Sequence, residues 1–150
     1  MSSTFLESVR AALINEIEIL HKEIIESVSS LGDEQLWKRP LPSSNSIGHL
    51  ILHLTGNLNH FVGAQLGHTG FIRDREREFT EPSPPARTAL LQGLDSAVAV
   101  FRKVVGGLSE QQLMAPHPHE KFGTVINALI HLVAHFALHR GQISYIRRLV

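Results

Sequence analysis

Near the end of the chain, HLVAHFALHRGQI sets His131, His135 and His139 at intervals of four. On a helix, residues four apart lie almost over one another, about 6 Å apart along the axis, so the three imidazoles form one stripe. A second pair with the same spacing, His49 and His53, stands in SIGHLILHL. The sequence holds ten His and no Cys. Imidazole is a common ligand for Zn, Ni, Cu and Fe, and a catalytic zinc site keeps about three protein ligands and one open position. Two His-bearing helices facing each other would supply such a set, and metal binding is the leading expectation. A His on a helix is also commonly a surface or core residue. His135 is the sharper case, because it sits between Ala134 and Phe136 in the most apolar part of the chain. A buried imidazole without a partner costs free energy. A metal, a backbone carbonyl or a polar neighbour would each relieve that cost.

The distribution of carboxylates narrows the chemistry. Residues 46–66 and 124–149 contain no Asp or Glu. A ferritin-like di-iron site needs Glu ligands, and a zincin needs HExxH with Glu as base. Neither pattern is present, so a mononuclear all-His site remains. Without a nearby carboxylate base, activation of an incoming ligand is better supported than metal-hydroxide hydrolysis. The other His rank lower. His21 lies among polar residues; His68, His117 and His119 fall in loops and are expected at the surface, as is His60, seven after His53. Asn57, one turn beyond His53, fits a contact near the site or a helix-packing hydrogen bond equally well.

Four helical segments must position these residues. The first, about Ser3 to Ser30, repeats Leu6, Val9, Leu13, Ile17, Leu20, Ile24, Val28 and Leu31 at steps of three and four, which is one buried stripe ended by Gly32. The second, about Ser46 to Leu66, follows several N-cap candidates and is expected to stop at Gly67. The third, about Pro85 to Val105, turns Leu90, Leu94, Ala97, Phe101 and Val105 inward and stops at Gly106-Gly107. The fourth, about Thr124 to Leu149, is apolar on nearly every side in its first half and is expected to be the most buried.

No segment alternates with period two. Asp33–Gln35 and Ser109–Gln112 look like helical turns, the second with the capping-box pattern SEQQ. Trp37 is expected to anchor its loop to the bundle. RDRERE, residues 73 to 78, mixes both signs and is expected to be solvated loop surface. LGDEQLWKRP and LSEQQLMAP form a faint repeat, which would pair the second and fourth helices. Chance similarity of amphipathic helix pairs explains it as well. The inter-helix connections are long for an up-down bundle and imply crossovers. The expected fold is all-α, a four-helix bundle with long crossover loops, in one domain spanning residues 1–150.

Composition excludes several classes. Apolar residues make up 43% and charged residues 19%, as in a globular protein. Lys plus Arg and Asp plus Glu are equal at 14 each, so no basic field attracts nucleic acid. Zero Cys excludes disulfides, Cys-ligated zinc and a Cys nucleophile. Glu7 and Arg10 interrupt the first apolar pattern, so no signal peptide is expected. The apolar stretch Val125–Leu138, broken by Asn127, His131 and His135, is shorter than the roughly 20 residues a membrane span needs. A cytoplasmic protein without membrane or nucleic-acid partners is the expectation.

SNSIGHLILHLTGNLNHF (44 to 61) and HLVAHFALHRGQISYIRRLV (131 to 150) resemble the DinB/YfiT-like superfamily of four-helix-bundle metalloenzymes over essentially the full length. The resemblance implies a divalent metal, zinc or nickel, held by one His of the second helix and two of the fourth. By position these are His53, His135 and His139. The internal repeat would instead pair His53 with His131; the HRGQI register favours His135. His49 and His131 are then neighbours one turn away. The resemblance further implies a thiol S-transferase or isomerase using bacillithiol, mycothiol or glutathione, and a homodimer. The alternative is a non-enzymatic metal- or small-molecule-binding bundle of stress-response type.

Overall fold

Residues 2–31 contain no Gly or Pro to break a helix. In the computed structural model, which describes residues 2–150, they form α1 (Ser2–Val28). Ile17, Leu20, Ile24 and Val28 of its stripe are buried, with Leu6, Val9 and Leu13 packed at the margin. A short α2 (Asp33–Trp37) follows, then α3 (Ile47–Leu58). The Ser46 side chain caps α3 by accepting from the His49 backbone N–H. The helix continues through a π-helical stretch, Asn59–Ala64, into α4 (Gln65–Gly67). A short α5 (Arg77–Thr80) precedes α6 (Arg87–Gly107). Then come α7 (Glu110–Met114), a 3₁₀ turn (Glu120–Phe122) and α8 (Val125–Ile146).

The helices α6 and α8 each pack against both α1 and α3. So α1 lies across the bundle from α3, and α6 across from α8, and the α1–α3 and α6–α8 connections are the crossovers that the loop lengths imply. Among the described residues there is no strand; Pro116 and Thr124 form an isolated bridge. Ser109 makes both bonds of its capping box with Gln112. Trp37 lies over Gly48, where a Cβ would approach its ring to 2.6 Å, and donates to the Pro85 carbonyl at 3.3 Å. The loop anchor is therefore a fit of indole onto a glycine.

Two expectations about the helices change. The most buried helix is α3, with ten of its twelve residues buried; α8 has six buried and exposes Ile130, Ala134 and Leu138. The apolar sides of α8 exceed what the bundle covers. Gly67 is the last helical residue of the second long helix and not its cap. It is helical and makes room for Val104, which a Cβ would approach to 2.5 Å, while His68 takes the left-handed turn at φ 53°.

Candidate metal centre

His53 stands on α3 and His135 and His139 stand one turn apart on α8, the neighbouring helix. Nε2 of His135 lies 3.0 Å from Nε2 of His53 and 3.0 Å from Nε2 of His139. One nitrogen from each ring fits within 4.8 Å of the others, a spacing suited to a metal ion. His53 is buried, and His135 and His139 are half-buried.

Two of the rings are oriented from behind. Nδ1 of His53 is 2.9 Å from Glu78 Oε1, so the carboxylate accepts the Nδ1 proton and leaves the Nε2 lone pair facing the centre. Nδ1 of His139 donates to Gln142 Oε1 at 2.7 Å, with the same result. Nδ1 of His135 is buried with no partner among the described residues. In either neutral tautomer the buried Nδ1 is unsatisfied, as an acceptor when the proton is on Nε2 and as a donor when it is on Nδ1. If the proton is on Nδ1, three lone pairs point at one place. Adding a second proton is no escape. Burial first, then the neighbouring His139 and His53, push the His135 pKa down to about 3. Burial also lowers His139, partly opposed by the Gln142 hydrogen bond. A cation accepting all three lone pairs relieves their mutual repulsion, so the donor set fits a divalent metal.

Glu78 overturns two expectations. RDRERE is not simply solvated surface: Arg75, Glu76 and Arg77 are exposed, but Glu78 is buried and Arg73 nearly so. A carboxylate also stands at the site although the His-bearing helices contain none. Arg73 grips it with two bonds of 2.8 Å, from Nε to Oε2 and from its terminal nitrogen to Oε1. Burial opposes ionisation of Glu78, but the Arg73 and His53 hydrogen bonds outweigh it and hold the carboxyl below its ordinary value. Tied in this way, Glu78 orients His53 and is not a free base. Gly56 admits it: a Cβ there would collide with the Glu78 carboxylate. The alternating charges hid this residue in the sequence; the glycine one turn after His53 was the available signal.

The remaining His have other work. His49 is buried against Trp37, with Nδ1 2.6 Å from Ser46 Oγ, and secures the start of α3. His131 is exposed and lies against Phe122, outside the trio. His117, expected at the surface, is buried: it donates from Nε2 to the Phe61 carbonyl at 3.1 Å and accepts at Nδ1 from the His119 N–H at 2.9 Å. The π-helical stretch disturbs the usual backbone ladder near Phe61, and His117 ties the last loop to it. His60 is half-buried beside Phe61; His68 is exposed; His119 accepts from the Lys121 N–H; and His21 pairs with Asp95 across α1 and α6 at 2.7 Å.

A cavity of about 140 Å³ opens onto His53 and His135, lined also by Asn57, Phe61, Arg75 and Lys121. A larger groove of about 710 Å³ runs along Leu138, Gly141 and Tyr145 and touches the site region only through Gln142. The smaller cavity is the one with two of the three histidines in its wall.

A family model described as mycothiol-S-transferase matches residues 9–150. The chain belongs to the mycothiol-S-transferase family. The DinB/YfiT-like resemblance and the all-α bundle are thereby borne out. A crystal structure of a conserved protein from Enterococcus faecalis superposes with a TM-score of 0.78, at 18% identity, over 93% of this chain and 95% of that one. At that identity it speaks to the fold alone. No curated protein matches the sequence. Among the described residues, no helix is long and apolar enough to cross a membrane.

Proposed function

We propose that this chain is a metal-dependent thiol S-transferase that holds one divalent cation, zinc or nickel, on His53, His135 and His139. One observation carries the reading: three imidazole nitrogens converge on one point while Glu78 and Gln142 hold two of the rings by their far nitrogens. When bound, the cation supplies a positive charge that lowers the pKa of an incoming thiol. Three neutral ligands leave that charge undiminished.

The chain's own residues do the rest. Glu78, gripped by Arg73, keeps the His53 proton on Nδ1; Gln142 does the same for His139. Phe61 and Phe122 wall the cavity beside the centre. In the reaction the thiol gives its proton to solvent and its sulfur bonds an electrophilic carbon. A leaving anion departs, or in an addition the product takes up a proton. The chain has no Cys, so the sulfur nucleophile comes from the cosubstrate. No fourth His or carboxylate joins the trio among the described residues, which favours an open site over a closed structural one.

The test is metal analysis of the purified protein, followed by conjugation of monochlorobimane with bacillithiol, mycothiol and glutathione on zinc- or nickel-loaded protein. Acceleration with one thiol, lost with a chelator and in His139→Ala, supports the reading. Metal-replete protein with no acceleration by any thiol makes the chain a non-enzymatic metal-binding bundle. The reading assumes a cytoplasmic setting, where small thiols stay reduced. It also includes a homodimer through the apolar face that α8 leaves open at Ile130, Leu138 and Tyr145. Light scattering that gives a monomer mass at micromolar concentration removes that part.

A further inference from the structure

The seam between α3 and α8 continues past the three histidines. One turn on from His53 along α3 stands Asn57, and one turn back from His135 along α8 stands His131; both line the small cavity beside the centre. His131 shares the stripe of the two α8 ligands yet stays out of the trio. Its ring lies 5.4 Å from that of Phe122, centre to centre, and makes no hydrogen bond or ion pair among the described residues. A neutral imidazole in that state offers one free lone pair and one free N–H. The rest of the wall offers no such lone pair. Arg73 and the exposed Arg75 and Lys121 are cations, which donate and do not accept. Asn57 is a neutral amide, and Phe61, Phe122 and Leu132 are apolar. His53 and His135 turn their Nε2 atoms to each other. Glu78 is taken up by Arg73 and His53. The carboxylate base that α3 and α8 lack has an imidazole in its place.

We infer that His131 is the general base of the thiol transfer: its imidazole takes the proton of a thiol whose sulfur faces the three histidines. The S–H bond breaks, an N–H bond forms on His131, and the electron pair stays on sulfur for the electrophilic carbon. At about 140 Å³ the cavity has room for roughly four or five waters, so a group filling it touches His131 and the wall of the trio together. The ring is also exposed, so the proton passes on to solvent or, in an addition, returns to the product. Phe122 holds the ring at the cavity from the side. The inference rests on the thiol-transferase reading and adds to it the residue that moves its proton.

The test follows thiol uptake by cobalt-loaded protein in stopped flow, read from the sulfur-to-cobalt charge-transfer band with no electrophile present. Two small uncharged thiols are compared at neutral pH: ethanethiol, a weak acid, and 2,2,2-trifluoroethanethiol, which its fluorines make a far stronger one. In His131→Ala, with helicity checked by circular dichroism, the band is expected to form roughly 100-fold more slowly with ethanethiol and within about threefold of the unaltered rate with the fluorinated thiol. Added 2,6-lutidine, a hindered base that binds metals poorly, is expected to restore the ethanethiol rate. A merely structural role would slow both thiols alike and would not respond to lutidine; that result overturns the inference. Unchanged rates with both thiols overturn it as well and leave the transferase reading standing. A thiol-selective loss in Lys121→Gln and none in His131→Ala moves the base to Lys121 and overturns it. A band with neither thiol on the unaltered protein removes the transferase reading and the base with it.

Discussion

The imidazole of His53 and the carboxylate of Glu78 meet at 2.9 Å, Nδ1 to Oε1, although one stands on a core helix and the other on a one-turn helix reached by a charged loop. Carboxylates behind metal-binding His set the tautomer and raise ligand basicity. Glu78→Gln keeps an acceptor for the His53 proton but loses the charge and one of the two Arg73 bonds. Metal affinity is expected to fall by roughly 10- to 100-fold, with helicity retained. Chelator competition measures it. Unchanged affinity would mean that Glu78 merely closes the loop.

His135 and His117 are expected to part company when each is replaced by Ala. His135 has a buried, unpartnered Nδ1, so its removal relieves as much as it breaks in the metal-free protein. His135→Ala should abolish stoichiometric metal with little change in the metal-free Tm. His117→Ala should keep the metal and destabilise by about 1–3 kcal/mol, because it strands the Phe61 carbonyl and the His119 N–H. Exposed His68→Ala should leave metal content unchanged. Stoichiometric metal in His135→Ala is the result that removes the proposed ligand set.

Acid should destabilise the metal-free fold, starting near pH 6.5. An unfolded His takes up a proton there. His49 and His117 are pushed below that value by burial, and His135 to about 3. The unfolded chain therefore binds more protons than the folded one from pH 6.5 downward, and stability falls as pH falls. Glu78 adds the same sign at lower pH: its carboxyl is held below the ordinary value, and its contribution is lost as pH falls through the folded value. Tm measured from pH 8 to 5 should decline below about 6.5, and more shallowly in His117→Gln. A flat or rising profile contradicts this.

Much of this architecture was legible because helical periodicity is written locally. The α1 and α6 stripes fell where the steps of three and four put them, and Ser46 and Ser109 capped as their types require. The i,i+4 spacing marked five candidate His on two helices, but only the family resemblance, through its HRGQI register, singled out His53, His135 and His139, which the structure brings together. What the sequence hid was long-range. Glu78 reads as one charge among six, and nothing local says that the loop folds back onto α3. His117 reads as a loop residue because its carbonyl partner belongs to a π-helical stretch more than fifty residues earlier. The burial of α8 was misjudged because apolar content reports what a helix can bury and not how much neighbour it has.

Gly56→Ala tests that fold-back without touching a charged group. Ala is favoured over Gly inside a helix by about 1 kcal/mol, so the substitution would stabilise α3 if nothing opposed it. A Cβ at Gly56, however, collides with the Glu78 carboxylate. The collision is expected to win: lower Tm, and metal affinity reduced as in Glu78→Gln. Gly93→Ala on α6 is the control, since its Cβ meets only Thr55 at an ordinary 3.8 Å, and it should be neutral or stabilising. A double-mutant cycle closes the argument. On a Glu78→Ala background the carboxylate is gone, and Gly56→Ala should cost no further metal affinity. If its effect on affinity is the same with and without Glu78, the glycine acts by some route other than admitting this carboxylate to His53.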